Sequence, residues 1–185
     1  MRVAGIERNS IVDGEGWRYA IFFQGCLHKC KGCHNPETWQ FGMGTEMTVQ
    51  QIIDDLNESD EAGFYDVTFS GGDPFFQASE IKELAKEIKA DGRGIWAYTG
   101  FEFDKFLEYI KDGELNTKKE FTNSDKAEIT EDMIELLQYI DVVVDGRFIL
   151  EQRTLEEQYR GSTNQRLIDV QKSLKKKDIV LYEPE

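Results

Sequence analysis

Three cysteines and two histidines are the chain's whole supply of thiols and imidazoles. All five fall in one nine-residue window, Cys26-Leu27-His28-Lys29-Cys30-Lys31-Gly32-Cys33-His34. The cysteines have the spacing C-x3-C-x2-C. Three thiolates from one tight loop can grip three corners of a cubic [4Fe–4S] cluster. With no fourth cysteine, one iron stays open to a substrate or cofactor. A second reading is a structural zinc of Cys3His type, completed by His28 or His34, although structural zinc usually draws on two separated knuckles. A third is three free core cysteines, which the Gly, Lys and His neighbours disfavour. The same count excludes a Ser-His-Asp triad spread over the chain and a distant Cys-His pair. It also excludes a disulfide framework, because three is odd.

The elements that must carry this loop alternate strand and helix. Tyr19-Ala20-Ile21-Phe22-Phe23 is a continuously apolar run ended by Gln24-Gly25 and predicts a buried, parallel strand. Residues 48–56 carry Val49, Ile52, Ile53 and Leu56 at helical spacing, with Thr48 as N-cap. Residues 66–69 read as a second strand, ended by Ser70-Gly71-Gly72-Asp73-Pro74. Ser79 is expected to cap a helix that turns Ile81, Leu84, Ala85 and Ile88 inward. Residues 94–98 make a third strand, stopped at Thr99-Gly100, and Phe103, Phe106, Leu107 and Ile110 mark the next helix. Residues 130–139 predict another helix, and 141–144 a fourth strand ended by Asp145-Gly146-Arg147. The polar stretch 111–128 reads as a surface insertion, 171–177 as a short basic helix and 179–182 as a last strand.

Strand alternating with helix implies parallel strands joined by right-handed crossovers. A closed eightfold barrel takes ~250 residues. The expected fold class is therefore α/β, an open partial barrel of about five or six mainly parallel strands, formed by residues 1–185 as one domain. Every unusual loop follows a strand, so the loops converge on one mouth at the strands' carboxyl ends.

The cysteine spacing after the first strand resembles the radical S-adenosylmethionine (SAM) superfamily. The wider string from Gln24 to Trp39 is similar to the activating proteins of anaerobic ribonucleoside-triphosphate reductase. So, in order, are Ser70-Gly71-Gly72-Asp73-Pro74, Trp96-Ala97-Tyr98-Thr99-Gly100, Val144-Asp145-Gly146-Arg147-Phe148 and Arg160-Gly161-Ser162-Thr163-Asn164-Gln165-Arg166. The resemblance runs from about residue 5 to the C-terminus and implies a [4Fe–4S] cluster on Cys26, Cys30 and Cys33, with SAM chelated at the open iron. An electron from the cluster then breaks the sulfonium bond to C5′, and the 5′-deoxyadenosyl radical abstracts hydrogen, chemistry that the cofactor carries. No histidine base is needed.

By position, the resemblance assigns Gly71, Gly72 and Asp73 to the methionine amino group, and Asp145 and Arg147 to the ribose and carboxylate of SAM. Tyr98 and Thr99 are weaker candidates, and Tyr98 also reads as core. The plain alternatives are a Gly-Gly-Asp-Pro turn and a solvated strand end. Two departures stand out. Gly32 occupies the position where many superfamily members have an aromatic, so backbone groups of Gly32, Cys33 and His34 are left to hold the adenine. Glu15 stands where the family often has proline, with little consequence expected.

The implied partner is the large reductase subunit, which receives a glycyl radical on a flexible glycine loop, with a flavodoxin- or ferredoxin-like electron donor. Other small radical SAM enzymes, such as 7-carboxy-7-deazaguanine synthase or the activator of pyruvate formate-lyase, lack the 160–166 string. A non-catalytic metal-binding module is the remaining alternative. The string's own role reads two ways, as a shaper of the mouth or as a surface loop anchoring the last helix. The chain's 36 acidic and 22 basic residues leave a net charge of −14, which repels phosphate backbones and makes nucleic acid an unfavourable partner. No apolar run approaches the ~18 residues of a bilayer span, and the start lacks a secretory pattern, so no membrane role and a cytoplasmic location are expected.

Overall fold

A computed structural model describes residues 1–60, 62–112 and 128–184. Most of the expected insertion at 111–128 lies outside the described residues. Among those described, seven strands form one mixed sheet in the order β3-β1-β2-β4-β5-β6-β7. The strands are β1 (Arg2–Ser10), β2 (Arg18–Phe23), β3 (Thr45–Glu46), β4 (Asp66–Gly71), β5 (Ile95–Tyr98), β6 (Val142–Asp145) and β7 (Arg166–Asp169). The helices are α1 (Val49–Ser59), α2 (Ala78–Ala90), α3 (Phe103–Asp112), α4 (Glu131–Leu137) and α5 (Val170–Lys176).

The four central strands, β2, β4, β5 and β6, are parallel neighbours. They are the four strands expected from the apolar runs. The outer strands are antiparallel: β1 pairs with β2 and β3, and β7 with β6. The strand count is thus seven rather than five or six. The link from β1 to β2 is too short for a crossover, so it can join only antiparallel partners.

Alternation along the strands sorts residues to two faces. Tyr19, Ile21, Phe23, Val67, Phe69, Ile95, Ala97 and Val143 enter the main core, which includes Ile81, Leu84, Ile88, Phe103, Phe106 and Leu136 from the helices. The other face holds Trp96, Val142, Val144 and Leu167, with Tyr98, Tyr159 and Tyr182 packed against them. Arg18 is fully buried there. Its guanidinium lies 5.4 Å from the Trp96 ring centroid and donates to Thr68 Oγ1 (3.0 Å) and the Val67 carbonyl (2.7 Å).

Several boundaries differ from expectation for local reasons. Thr48 does cap α1, in a reciprocal capping box with Gln51. Ser79 is not a cap. The 3-10 turn Pro74–Gln77, capped by Asp73, runs straight into α2, which needs no fresh start. Gln77 instead donates to the carbonyls of Arg2 and Gln24 (2.9 Å each), stitching β1 to the end of β2. Residues 179–182 form no strand. They make one bridge, Leu181 to Ile168, with Tyr182 N–H donating to the Leu167 carbonyl at 2.9 Å. Glu15 has a consequence after all, because its carboxylate accepts the Tyr182 hydroxyl at 2.5 Å.

Candidate cluster and ligand site

The chain leaves β2 through Gln24 and Gly25, and both are fixed by the far end of the same loop. The Gln24 side-chain amide donates to the carbonyls of Glu37 (3.1 Å) and Gln40 (2.8 Å). Gly25 N–H donates to Thr38 at 2.7 Å and Cys26 N–H to Trp39 at 3.1 Å. The excursion is therefore a closed loop pinned at its neck. It presents Cys26 buried and Cys30 and Cys33 half-buried, all three as free thiols. Cys33 N–H donates to the Cys30 carbonyl (3.0 Å), and Asn35 N–H points at Cys33 Sγ (3.4 Å).

Burial, with the nearby Asp73 charge, pushes the Cys26 thiol up to about 12, and burial also raises Cys30. Thiols in such surroundings ionise at the cost of desolvation, and a bound metal ion offsets it as protons leave. Among the described residues, no three Cys, His, Asp or Glu side chains close round a single metal ion. Thiolates that bind separate irons of a cluster stand farther apart than ligands sharing one zinc at ~2.3 Å. The donor set, three free thiols on one pinned loop, fits a cluster held at three corners.

The glycine turn after β4 lies against this loop. Gly72 N–H donates to Phe23 O at 2.8 Å and Asp73 N–H to Gly25 O at 3.0 Å. A Cβ on Gly72 would meet Gly25 O at 2.4 Å, and Gly71 has φ +95° with its Cβ position 2.4 Å from Phe23 N. Both glycines are required by the close approach of two backbones. Asp73 is 1% exposed. Its Oδ2 faces His28 Nε2 (2.9 Å), Thr99 Oγ1 (2.8 Å) and Gly100 N–H (2.9 Å), and its Oδ1 accepts Phe75 N–H (3.0 Å). Thr99 is buried and its hydroxyl also accepts Phe101 N–H at 3.1 Å. Tyr98 is half-buried on the opposite sheet face, its phenol pushed up by burial.

Asp145, at the end of β6, is likewise spoken for. It accepts the N–H of Phe103 at the start of α3 (2.8 Å) and two bonds from Arg166, from Nε (3.1 Å) and Nη2 (2.5 Å). Arg166 also reaches Asp104 at 2.7 Å and holds that carboxyl below its ordinary range, while both partners raise Arg166. Residues 160–166 brace the loop after β6. Gln165 donates to Gly146 O (3.0 Å), Asn164 donates to Arg147 O (2.9 Å), and Gln165 Oε1 accepts Gly161 N–H (2.9 Å). The string is thus anchored to the strand end, with Arg166 itself in β7, and it does not merely tether the last helix.

A cavity of about 980 Å³ opens at this edge, lined by Cys30, His28, Asp145, Arg147, Phe148 and Asn164 among others. Cys26, Cys33, Tyr98, Thr99 and the turn Gly71-Gly72-Asp73 do not line it. Gly32 has φ +75° and faces Leu150 and Phe148, and the exposed His34 ring lies 4.9 Å from that of Phe148. His28, which the sequence offers only as a zinc ligand, and Asn164 and Arg166, which it offers only within the 160–166 string, enter this edge through these pairings.

A family model described as a 4Fe-4S single cluster domain matches residues 12–168. An anaerobic ribonucleoside-triphosphate reductase-activating protein of Haemophilus influenzae is 32% identical over 84% of this chain and 89% of its own length. Its counterpart from Vibrio cholerae is 35% identical over the same shares. The chain belongs to the family of anaerobic ribonucleoside-triphosphate reductase-activating proteins. A pyruvate formate-lyase-activating enzyme of Listeria monocytogenes is 42% identical, over 49% of this chain and 38% of its own length. The likeness to both kinds of activator is of the radical SAM type. No described helix is long and apolar enough to cross a membrane.

Proposed function

We propose that the chain activates an anaerobic ribonucleoside-triphosphate reductase by installing a glycyl radical on its large subunit. It uses a [4Fe–4S] cluster on Cys26, Cys30 and Cys33 together with SAM. The observation that carries this is the pinned loop holding all three of the chain's thiols at the carboxyl edge of the parallel strands, backed against a glycine turn. When bound, the cluster and SAM supply the one-electron chemistry that takes a hydrogen atom from glycine.

The chain's own residues hold and shield those groups. The backbone of Gly71 and Gly72 offers a close approach for the amino group of SAM. Gly32, Cys33 and His34 border the place for adenine, with Phe148 beside it. Arg147, at the cavity wall, is the cation for the carboxylate. Asp73, Thr99 and Asp145 serve by fixing these loops, and Tyr98 packs on the second face of the sheet, away from the cavity. The open cavity suits a glycine loop entering from the side, and the sheet would curve as a partial barrel formed by residues 1–185 as one domain. A flavodoxin- or ferredoxin-like protein would supply the electron, in the cytoplasm. The net charge of −14 supports a protein partner over nucleic acid.

The test is anaerobic incubation of the reconstituted protein with the reductase large subunit, SAM and a reductant, watched by electron paramagnetic resonance. A glycyl-radical signal on the reductase is expected, and Cys26→Ala, Cys30→Ala or Cys33→Ala should abolish it along with the cluster. SAM cleavage with no signal on the reductase would refute the assigned target.

A further inference from the structure

We propose that His28 and Asp73 are a pair of positioning residues that lock the thiol loop onto the SAM-binding turn, and that the Asp73 carboxylate itself does not receive the ligand. The inference rests on the function proposed above and concerns how its site is held in register.

The geometry is specific. His28 lies between Cys26 and Cys30, yet its side chain is only 5% exposed. It turns away from solvent into a slot between Phe76 and Phe101, with ring centroids 5.3 and 4.9 Å away. The slot exists because residue 100 is glycine, since a Cβ there would stand 2.4 Å from His28 Cδ2. Among the described residues His28 Nδ1 finds no partner, and Nε2 to Asp73 is the ring's one polar anchor there. Asp73 Oδ2 gathers bonds from two loops, the thiol loop after β2 and the Thr99-Gly100 loop after β5, while Oδ1 holds its own turn after β4 through Phe75 N–H. With the Phe75 bond the carboxylate makes four contacts, three of them on Oδ2, so that only Oδ1 keeps an acceptor position. At 1% exposure that position is closed to a ligand ammonium unless the loops around it part. Movement of the thiol loop by a fraction of an ångström would misplace the open iron against the glycine backbone, and positioning of that kind is costly to lose.

The test compares His28→Ala, His28→Gln, Thr99→Val and Asp73→Asn with the parent, all reconstituted anaerobically. Iron per chain, unfolding midpoint, SAM affinity of the unreduced protein by calorimetry, and the SAM-induced change in the spectrum of the reduced cluster are measured. His28→Ala is expected to keep the parent's iron content but bind SAM roughly tenfold more weakly, with a diminished spectral change. His28→Gln, whose amide can donate to the same oxygen, should return most of both. Thr99→Val and Asp73→Asn should weaken SAM binding in the same direction. Parent-like affinity and spectral change in His28→Ala would overturn the proposal, even with a lowered unfolding midpoint. So would weakened binding in Asp73→Asn alone, because the carboxylate would then act on the ligand directly. If His28→Ala fails to load a cluster, Thr99→Val decides on the same criteria. A parent that does not bind SAM at all refutes the proposed function instead, a distinct result.

Discussion

Arg166→Ala separates an anchoring role for the 160–166 string from a role confined to the partner. Asp145 is 1% exposed and takes two of its three bonds from Arg166. Removing the guanidinium leaves a buried carboxylate with a single N–H donor. Breaking a fully buried ion pair costs about 3–5 kcal/mol. The Arg166 side chain is 34% exposed, so water can enter the vacated space and soften the loss. The outer contact to Asp104, itself 51% exposed, adds only about 0.2–1 kcal/mol. The expected destabilisation is therefore about 2–3 kcal/mol. Arg166→Lys should lose somewhat less, since an ammonium keeps the charge but not the forked contact. Equilibrium denaturation of the metal-free protein measures this without cofactors. An Asp145→Ala/Arg166→Ala double-mutant cycle should then give a coupling energy above about 1 kcal/mol. A loss under about 0.5 kcal/mol, or a coupling near zero, would refute the reasoning and return Asp145 to the ligand.

The turn after β4 should be intolerant of any side chain: Gly72→Ala, which drives a Cβ into the Gly25 carbonyl, should cost about 1–3 kcal/mol and lower cluster loading, read by denaturation and iron content. Asp104 is held below the ordinary carboxylate range by Arg166, so its contribution is fully present above its unfolded value near ~3.9 and fades as pH falls through the lower folded value. Asp104→Asn should accordingly flatten the acid limb of a stability–pH profile, and an unchanged limb would contradict the pairing. Tyr182→Phe deletes the hydroxyl bonded to Glu15 and should lower stability by about 0.5–1.5 kcal/mol, whereas the same change in a Glu15→Ala background should have little further effect.

What the sequence disclosed follows from how local each signal is. The central strands were legible because each is an apolar run stopped close to a glycine, and α1 because Val49, Ile52, Ile53 and Leu56 recur at helical spacing behind Thr48. The thiol loop stood out because no other cysteine or histidine competes with it. β1 escaped notice because it is largely exposed and polar, with two register shifts against β2 that break any alternation. β7 is four residues long, and only Leu167 and Ile168 in it are buried. Side-chain partnership was not legible at all. Asp145 reads as a free acid at a strand end until β7 brings Arg166 beside it from 21 residues away. His28 reads as a metal ligand until the fold sets it against Asp73. Glu15 reads as an idle substitution until the tail arrives.

That tail fixes an order of events. Tyr182 packs edge-on against Trp96, with ring centroids 5.4 Å apart, and its hydroxyl reaches back 167 residues to Glu15. A contact cannot form before both partners have left the ribosome. The thiol loop is translated early and the parallel strands beside it follow; on the second face Tyr159 reaches Trp96 first, at 5.2 Å between ring centroids, and the cover is completed only when residue 182 emerges. The seal over this face therefore waits for Tyr182, and a chain cut short of it would carry its thiols on a sheet whose second face is still partly open to water.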